Sequence, residues 1–493
     1  MTIDKKRAHN LQVPISRLPN EVLSKIFFDV KNTFNNHHIE LWIGITQVCH
    51  AWREVALKMS LLWSHIDVLP QFRNLIPEML RRSKQSPLTV FCPSTPKTYE
   101  HGLLDEVKKH SRRFRSLRCQ LRKGDDIVLD QILSQTDLQS LDTLAIVGTG
   151  CSSASGVLSI LSTLHLRAGS LKRLSLKFCC IDWNTKLLQG LTHLVLANAP
   201  GNCRLGSHDF VAVLSNTPAL EVLQLSNFLR ETDEDDVPNQ NNKIGLQYLR
   251  ELIVTCQVPE MAKFLQRLVV PPISKLHLDA RDDEIDSISD EFHGILSWVS
   301  KHFRMPTLSP IRSFYLRHYN EEFKIEGFCD ILSQKQISSV DPVLRFSITW
   351  PYDDGDYCDN VRTFLASLPL GNVAFLHVFT NLDVDLDQTF WVVAFGSIPT
   401  LESIFLDTGL SGFWEAMSPN GDKTKKLPFS ALSSLTVVDQ LLDSQLIIDN
   451  LHMRSELGVR LQELYFSKNA FEQSAATMKQ LGELVSHVLV YDD

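Results

Sequence analysis

A glycine turn between an apolar strand and an apolar helix can cradle phosphate, and one stretch of this chain has that shape. It is Leu144-Ala145-Ile146-Val147-Gly148-Thr149-Gly150-Cys151-Ser152-Ser153, followed by Val157, Leu158 and Leu161. The backbone N–H groups of such a turn, together with the start of the helix, would hold a pyrophosphate. That chemistry also wants a glycine at position 153 and an acid at the end of the next strand for a ribose hydroxyl, whereas the chain has Ser153 and Lys177. A turn within a repeat explains the glycines with no such demand, so an NAD-type enzyme is a minor alternative. His37-His38 suggests metal, but no third ligand stands at a defined spacing, and a polar loop is the simpler account. Gly-x-Ser-x-Gly, His-Glu-x-x-His and Walker loops are all missing from the sequence. The expectation is a chain that is not an enzyme, with no catalytic, cofactor-binding or metal-binding residues and no cofactor.

Composition narrows the partners. Of 493 residues, 49 are Lys or Arg and 57 are Asp or Glu, a formal charge of -8 that a phosphate backbone would repel. Nucleic acid is not expected. Apolar runs are too short to cross a bilayer, and Met1-Thr2-Ile3-Asp4-Lys5-Lys6-Arg7 has no apolar stretch behind its charges. A cytoplasmic or nuclear protein with no membrane association follows as an expectation. Ten cysteines lie scattered without a Cys-x-x-Cys pair, and no Asn-x-Ser/Thr sequon occurs, which suits reduced thiols. Residues 1–13 are polar and basic, and are expected to be a disordered lead.

With chemistry set aside, binding remains, and its first element spans residues 14–68. Leu18-Pro19-Asn20-Glu21 predicts a helix start, with proline where an N–H can be spared and a carboxylate at the positive end of the helix dipole. Val22, Leu23, Ile26, Phe27 and Val30 then share one side. The polar run Lys31 to His38 should end that helix. A second pattern through Leu41, Trp42, Ile45, Val48, Cys49, Trp52, Val55 and Ala56 leads into Leu61-Leu62-Trp63. So small a helical unit cannot bury all these side chains by itself, so a partner is expected to cover some of them.

Leu18-Pro19-x-Glu21-x-Leu23-x-x-Ile26-Phe27, then Val48-Cys49-x-x-Trp52-Arg53-x-x-Ala56, then Leu62-Trp63, resembles the F-box motif. The polar linker from Val30 to Glu40 departs from it, being long where the family has a short turn. The resemblance implies a short all-α domain of two to three helices that docks onto the Skp-type adaptor of a cullin-RING ubiquitin ligase, and through it onto a cullin scaffold. It carries adaptor binding to Leu18, Pro19, Leu23, Ile26, Phe27, Val48, Cys49 and Trp52.

Residues 69–493 repeat one phrase: apolar, two others, apolar, one other, apolar. Leu171-Lys172-Arg173-Leu174-Ser175-Leu176-Lys177-Phe178-Cys179 is the clearest copy and matches the leucine-rich-repeat pattern. Further copies centre on Leu194, Leu223, Leu252, Leu276, Phe314, Phe346, Leu376, Ile404, Leu435, Leu464 and Val488. Weaker ones precede them at Leu144, Leu117 and Ile66, the last running straight on from Trp63. Leu174 and Leu194 are 20 residues apart and Leu194 and Leu223 are 29 apart, spacings that fit a strand plus a helix. The longer step from Leu276 to Phe314 coincides with an acidic stretch near 281–291, and another acidic loop is expected near 231–243. Helical patterns such as Phe292 to Val299 and Val361 to Leu365 lie between phrases, with Pro218, Pro310 and Pro399 near the turns.

The expected fold class is therefore α/β: a short all-α F-box followed by an irregular leucine-rich-repeat solenoid, with a parallel sheet on the concave face and helices outside. A globular doubly wound sheet is the alternative. Along each strand, the residue between the two central apolar positions points away from the core. These positions are rich in aromatics and histidine in the second half, and Tyr315, Arg317, His377, Phe379, Phe405 and Tyr465 are the candidate contacts for an unknown target protein. If neighbouring loops cover those strands, Tyr315 and Phe405 are plain core. The function this implies is a substrate receptor of an SCF-type ligase, with a non-degradative interaction scaffold as the alternative.

Overall fold

The structure is a computed structural model that describes residues 5, 9–10, 12–33, 42–93, 102–122, 138–149, 158–159, 171–180, 183, 188–230, 243–281, 290–305, 308–319, 322–332, 334–337, 339–349, 357–380, 386–407, 411–418, 427–438, 444–467 and 475–491. His37-His38, Leu41, the turn from Gly150 to Ser153 and most of both acidic stretches lie outside them. The chain divides into two compact units, residues 1–205 with 212–222, and residues 206–211 with 223–493. Each is α/β.

In the first unit, helix α1 spans Asn20–Thr33, and the Pro19 carbonyl accepts the N–H groups of Val22 and Leu23. The helix runs to Thr33, inside the polar run expected to end it. Lys31 turns inward, 5% exposed, and its Nζ donates to the Leu62 carbonyl at 2.9 Å while lying 5.6 Å from the centre of the Trp42 ring. A long aliphatic stem lets lysine pack like an apolar residue once its ammonium has an acceptor. The buried side of α1 is Leu23, Phe27 and Lys31; Val22 is outside it, 42% exposed.

The second helical pattern is broken in two. Ile45–Val48 makes a single turn, Cys49 is extended (φ -155°, ψ 171°), and helix α2 spans His50–Lys58. The Cys49 Sγ accepts the Trp52 N–H at 3.5 Å, taking the place of the usual hydroxyl or carboxylate cap. Trp63, fully buried, donates its indole N–H to the Ala56 carbonyl at 2.9 Å, and the Arg82 guanidinium lies 4.3 Å over its ring. The helices thereby join strand β1 (His65–Asp67). After it come β2 (Leu88–Cys92), β3 (Phe114–Leu121), β4 (Thr143–Gly148), β5 (Arg173–Lys177) and β6 (His193–Ala197), each parallel to the one before. Strand β2 was not marked by the repeat phrase, because Val90, Phe91 and Cys92 are consecutive and all buried, which hides the alternation.

The second unit carries β7 (Val222–Ser226), β8 (Glu251–Gln257), β9 (Lys275–Arg281), β10 (Ser313–Tyr319), β11 (Glu322–Phe328), β12 (Leu344–Thr349), β13 (Phe375–Thr380), β14 (Ser403–Leu406), β15 (Ser434–Val437), β16 (Glu463–Ser467) and β17 (His487–Tyr491). The expectation of a wholly parallel sheet in chain order fails in its middle. Strand β12 lies parallel beside β9, β11 runs antiparallel between β12 and β10, and β10 is parallel to β13. The spatial order is thus β9-β12-β11-β10-β13. Phe346 consequently faces Leu278 rather than Leu276, a shift of two residues that keeps the same side inward. The cause lies in Glu322-Phe323-Lys324-Ile325-Glu326, an alternating run with Phe323 and Ile325 buried, two residues beyond Tyr319. That is hairpin spacing. The long step from Leu276 to Phe314 holds helix Asp290–Phe303 and the passage past two strand positions, so the acidic stretch alone does not account for it.

Inward residues of the strands meet aromatic residues from the intervening helices and turns: Phe346 packs on Phe364 of helix Tyr357–Ser367, with ring centres 5.4 Å apart, and Phe314 on Phe395 at 6.3 Å. Each such fully buried aromatic contributes about 2–3 kcal/mol of hydrophobic stabilisation. The alternate residues of the same strands face away from those helices. Among the described residues, no helix is long and apolar enough to cross a membrane. Cys203 is disulfide-bonded, against the expectation of reduced thiols throughout; Cys49, Cys92, Cys119, Cys179, Cys256 and Cys329 are free.

Candidate functional site

The N-terminal helices complete a small core and still leave apolar side chains outside it. Phe27 is fully buried with its ring 5.1 Å from that of half-buried Trp52, and Trp42 packs on Trp63 at 5.4 Å. Of the eight positions assigned to an adaptor, Leu23 and Phe27 are therefore core residues, Trp52 braces Phe27, and Cys49 caps α2. Leu18 and Ile26 are half-buried, Pro19 is exposed, and Val48 is 60% exposed. The sequence reading did not single out Ile15, Phe28 or Leu61 as surface residues, yet they are 41%, 39% and 54% exposed. Helical phase would have separated Phe28 from Phe27; nothing local marks Leu61.

The second candidate surface is the side of the second unit's sheet that faces away from the helices. Strand register brings Tyr315, His377 and Phe405 side by side on β10, β13 and β14. Their rings pack edge to face, with centres 4.7 Å apart for Tyr315 and His377 and 4.6 Å for His377 and Phe405. His377 is 4% and Phe405 5% exposed, so they form the floor, while Tyr315 stands half-buried beside them and burial raises the pKa of its hydroxyl. Neither nitrogen of His377 has a hydrogen-bond partner, and the nearest Asp407 carboxylate oxygen is 3.8 Å from its Nε2.

Two residues along, Arg317 lies in register with Phe379 on one side and Lys324 on the other. Its guanidinium carbon is 5.4 Å from the Tyr319 ring centre and 5.8 Å from that of Phe379. Five of the six residues expected on this surface thus come together on three adjacent strands. Tyr465 does not join them: it is half-buried on β16, in register with Thr436 of β15 rather than with the ring cluster.

Neighbours that sequence reasoning missed complete the site. Glu326, opposite Tyr315, receives Arg345 Nε at 2.7 Å and Lys324 Nζ at 3.1 Å on one oxygen. Beyond them the Ser347 hydroxyl donates to Asp279 at 2.9 Å, and the buried His277 ring meets the Pro342 carbonyl at 2.9 Å. Burial lowers the pKa of His277. These partners come from β9, β11 and β12, whose adjacency only the inverted strand order creates. Among the described residues there is no group of three or more His, Cys, Asp or Glu able to hold a metal.

No family model matches the chain, and no curated protein matches it. Among solved structures, it is similar to the complex of Rad7 and Elc1 from yeast, at 12% identity and a TM-score of 0.28, covering 98% of this chain and 92% of that one. It is also similar to the leucine-rich repeat-containing protein LegL7 from Legionella pneumophila, at 14% identity and a TM-score of 0.26, covering 80% of this chain and 97% of that one.

Proposed function

We propose that this chain is the substrate-recognition subunit of an SCF-type cullin-RING ubiquitin ligase, non-catalytic itself, with the N-terminal helices on a Skp-type adaptor and the outer side of the second unit's sheet on a target protein. The observation that carries this reading is the exposure of Val22, Val48 and Leu61 around a core that Phe27, Ala56 and Trp63 already close. Large apolar groups left outside a finished core mark a surface that a partner covers. Pro19, Leu18, Ile26 and Val48 are the expected contacts; Leu23, Phe27 and Trp52 set the shape that presents them. The subunit would contribute proximity and orientation, with the bond-making residues on other chains. Neither nucleic acid nor membrane has a part in it.

Co-purification of the full chain with a Skp-type adaptor tests the proposal. The double variant Val22→Glu, Val48→Glu should keep its fold, since both side chains are exposed, and lose at least tenfold in adaptor recovery. Equal recovery would remove the adaptor role. The aromatic and charged sheet face would serve a non-degradative scaffold equally well; a partner whose half-life is unchanged when this protein is depleted would favour that second reading.

A further inference from the structure

We infer that the Tyr315–Arg317–Phe379 surface recognises an acidic side chain of the bound protein, taking its carboxylate on Arg317 and its methylene stem on the flanking rings. The inference rests on the reading above that this face holds a protein partner.

Among the described residues of this face, Arg317 is a cation with no anion paired to it. Among the described residues it has no hydrogen bond and no ion pair, while its neighbours are committed: Arg345 and Lys324 both bind Glu326, at 2.7 Å and 3.1 Å. Its guanidinium is nevertheless held, lying over Tyr319 and Phe379. A planar cation fixed on aromatic faces loses little conformational freedom on meeting a carboxylate, and presents the paired N–H groups that bind one side-on. Tyr319 is 43% exposed, so the platform is open.

His377 supplies an independent sign that the site is incomplete. It is 4% exposed with both ring nitrogens unbonded, at the floor between Tyr315 and Phe405. A buried imidazole without a hydrogen bond is costly, and this one lies in register with Tyr315, one alternate position along the strand from Arg317, which suits a face that an acceptor group completes. The charge of the surroundings selects the kind of anion. Glu322 and Glu326 lie on the adjacent strand, in register with Tyr319 and Tyr315, and Asp407 sits beside His377. Glu322, Glu326 and Asp407 are matched in number by Arg317, Lys324 and Arg345, and Lys324 and Arg345 are already bound to Glu326, so the face offers one uncommitted cation, which suits the single charge of a carboxylate.

Fluorescence anisotropy with the full chain tests this, using fluorescein-labelled nonapeptides of alternating Leu and Glu, of alternating Leu and Gln, and of Leu with phosphoserine. The Glu peptide should bind at least tenfold more tightly than the Gln peptide. Arg317→Met, which keeps an aliphatic stem on the rings, should abolish that preference with an unchanged thermal midpoint; Arg317→Lys should restore part of it. Lys301→Met, on helix Asp290–Phe303, should leave it intact. Equal binding of Glu and Gln peptides, an unaffected preference in Arg317→Met, or a phosphoserine peptide bound tenfold more tightly than the Glu peptide would each overturn the inference. Failure here is separable from failure of the receptor reading. If a protein that co-purifies with the full chain is lost on Phe379→Ala but no acid preference is seen, the face binds protein by other means. If that partner is retained as well, the face is not the binding site.

Discussion

Among the described residues Lys31, Arg267 and Arg454 are buried cations, and the first and last of them have different consequences for stability. Lys31 is held at about 8, below its ordinary 10.5, chiefly because burial disfavours the ammonium, with Asp67 pulling partly the other way. The unfolded chain therefore binds more protons than the folded one between those two values. Below pH 8 both states are protonated and the full cost of burying the charge is present; it fades as pH rises toward 10.5, so this residue makes the protein more stable over that range. Lys31→Met removes the titration. Thermal melts of both proteins should show the variant's relative stability falling as pH rises from 7 to 10, and parallel curves would refute the assignment.

Arg454, 1% exposed and lowered to about 10 by burial, stays charged at neutral pH and donates to the carbonyls of Pro428 at 2.9 Å and Phe429 at 2.7 Å. Arg454→Ala would orphan both carbonyls and open a void, a loss of about 3–5 kcal/mol in denaturant unfolding. Neither burial was legible in the sequence, because a lysine or arginine reads as a surface residue until the acceptor, here a carbonyl 31 or 25 residues away, is known.

Turns and close helix approaches decide how each strand is set down. The residue directly after β5, β6 and β7 is left-handed in every case: Phe178 at φ 55°, Asn198 at 51° and Asn227 at 48°. Asparagine tolerates that conformation and phenylalanine does not, and the Phe178 ring is 39% exposed, so it recovers little by packing. Phe178→Asn should raise stability by about 0.5–1 kcal/mol in a denaturant melt. Gly412 is constrained in the opposite sense. A Cβ there would run into the Leu386 carbonyl oxygen and lie 2.7 Å from the Asp387 carbonyl carbon, beside the Asp387 side chain that caps helix Gln388–Ala394. Gly412→Ala should cost about 2–4 kcal/mol by forcing those backbones apart. The strands themselves were readable because their phrase is local, each apolar pair such as Leu174 and Leu176 marking one inward face. The hairpin β10–β11 was not, since Glu322 to Glu326 follows a two-residue rhythm that the search for the longer repeat passes over.

Strand order is a property of the chain taken together, and it determines what the candidate surface contains. Placing β11 and β12 between β9 and β10 brings Glu326, Lys324 and Arg345 next to Tyr315 and Arg317, an arrangement that no reading of successive phrases supplies. The pair that sequence could place is His377 with Phe405, on strands successive in the phrase and in parallel register; Tyr315 meets His377 only because β12, with Ser347, lies beside β9 instead of between them. Architectures built from stacked strand-and-helix units depend on contacts between near neighbours, so their stability is close to a sum over local pieces and need not be lost all at once. The division of this chain into two compact units points to unfolding that departs from two-state behaviour. Each unit has its own reporters among the described residues, Trp42, Trp52, Trp63 and Trp183 in the first and Trp298, Trp391 and Trp414 in the second, with Trp42, Trp63, Trp391 and Trp414 buried. In guanidinium chloride, tryptophan fluorescence and far-ultraviolet dichroism should therefore give midpoints that do not coincide. Gly412→Ala should move the transition in which Trp391 and Trp414 report, and leave the other within error. A single coincident transition, displaced as a whole by Gly412→Ala, would mean that the two units unfold as one cooperative body.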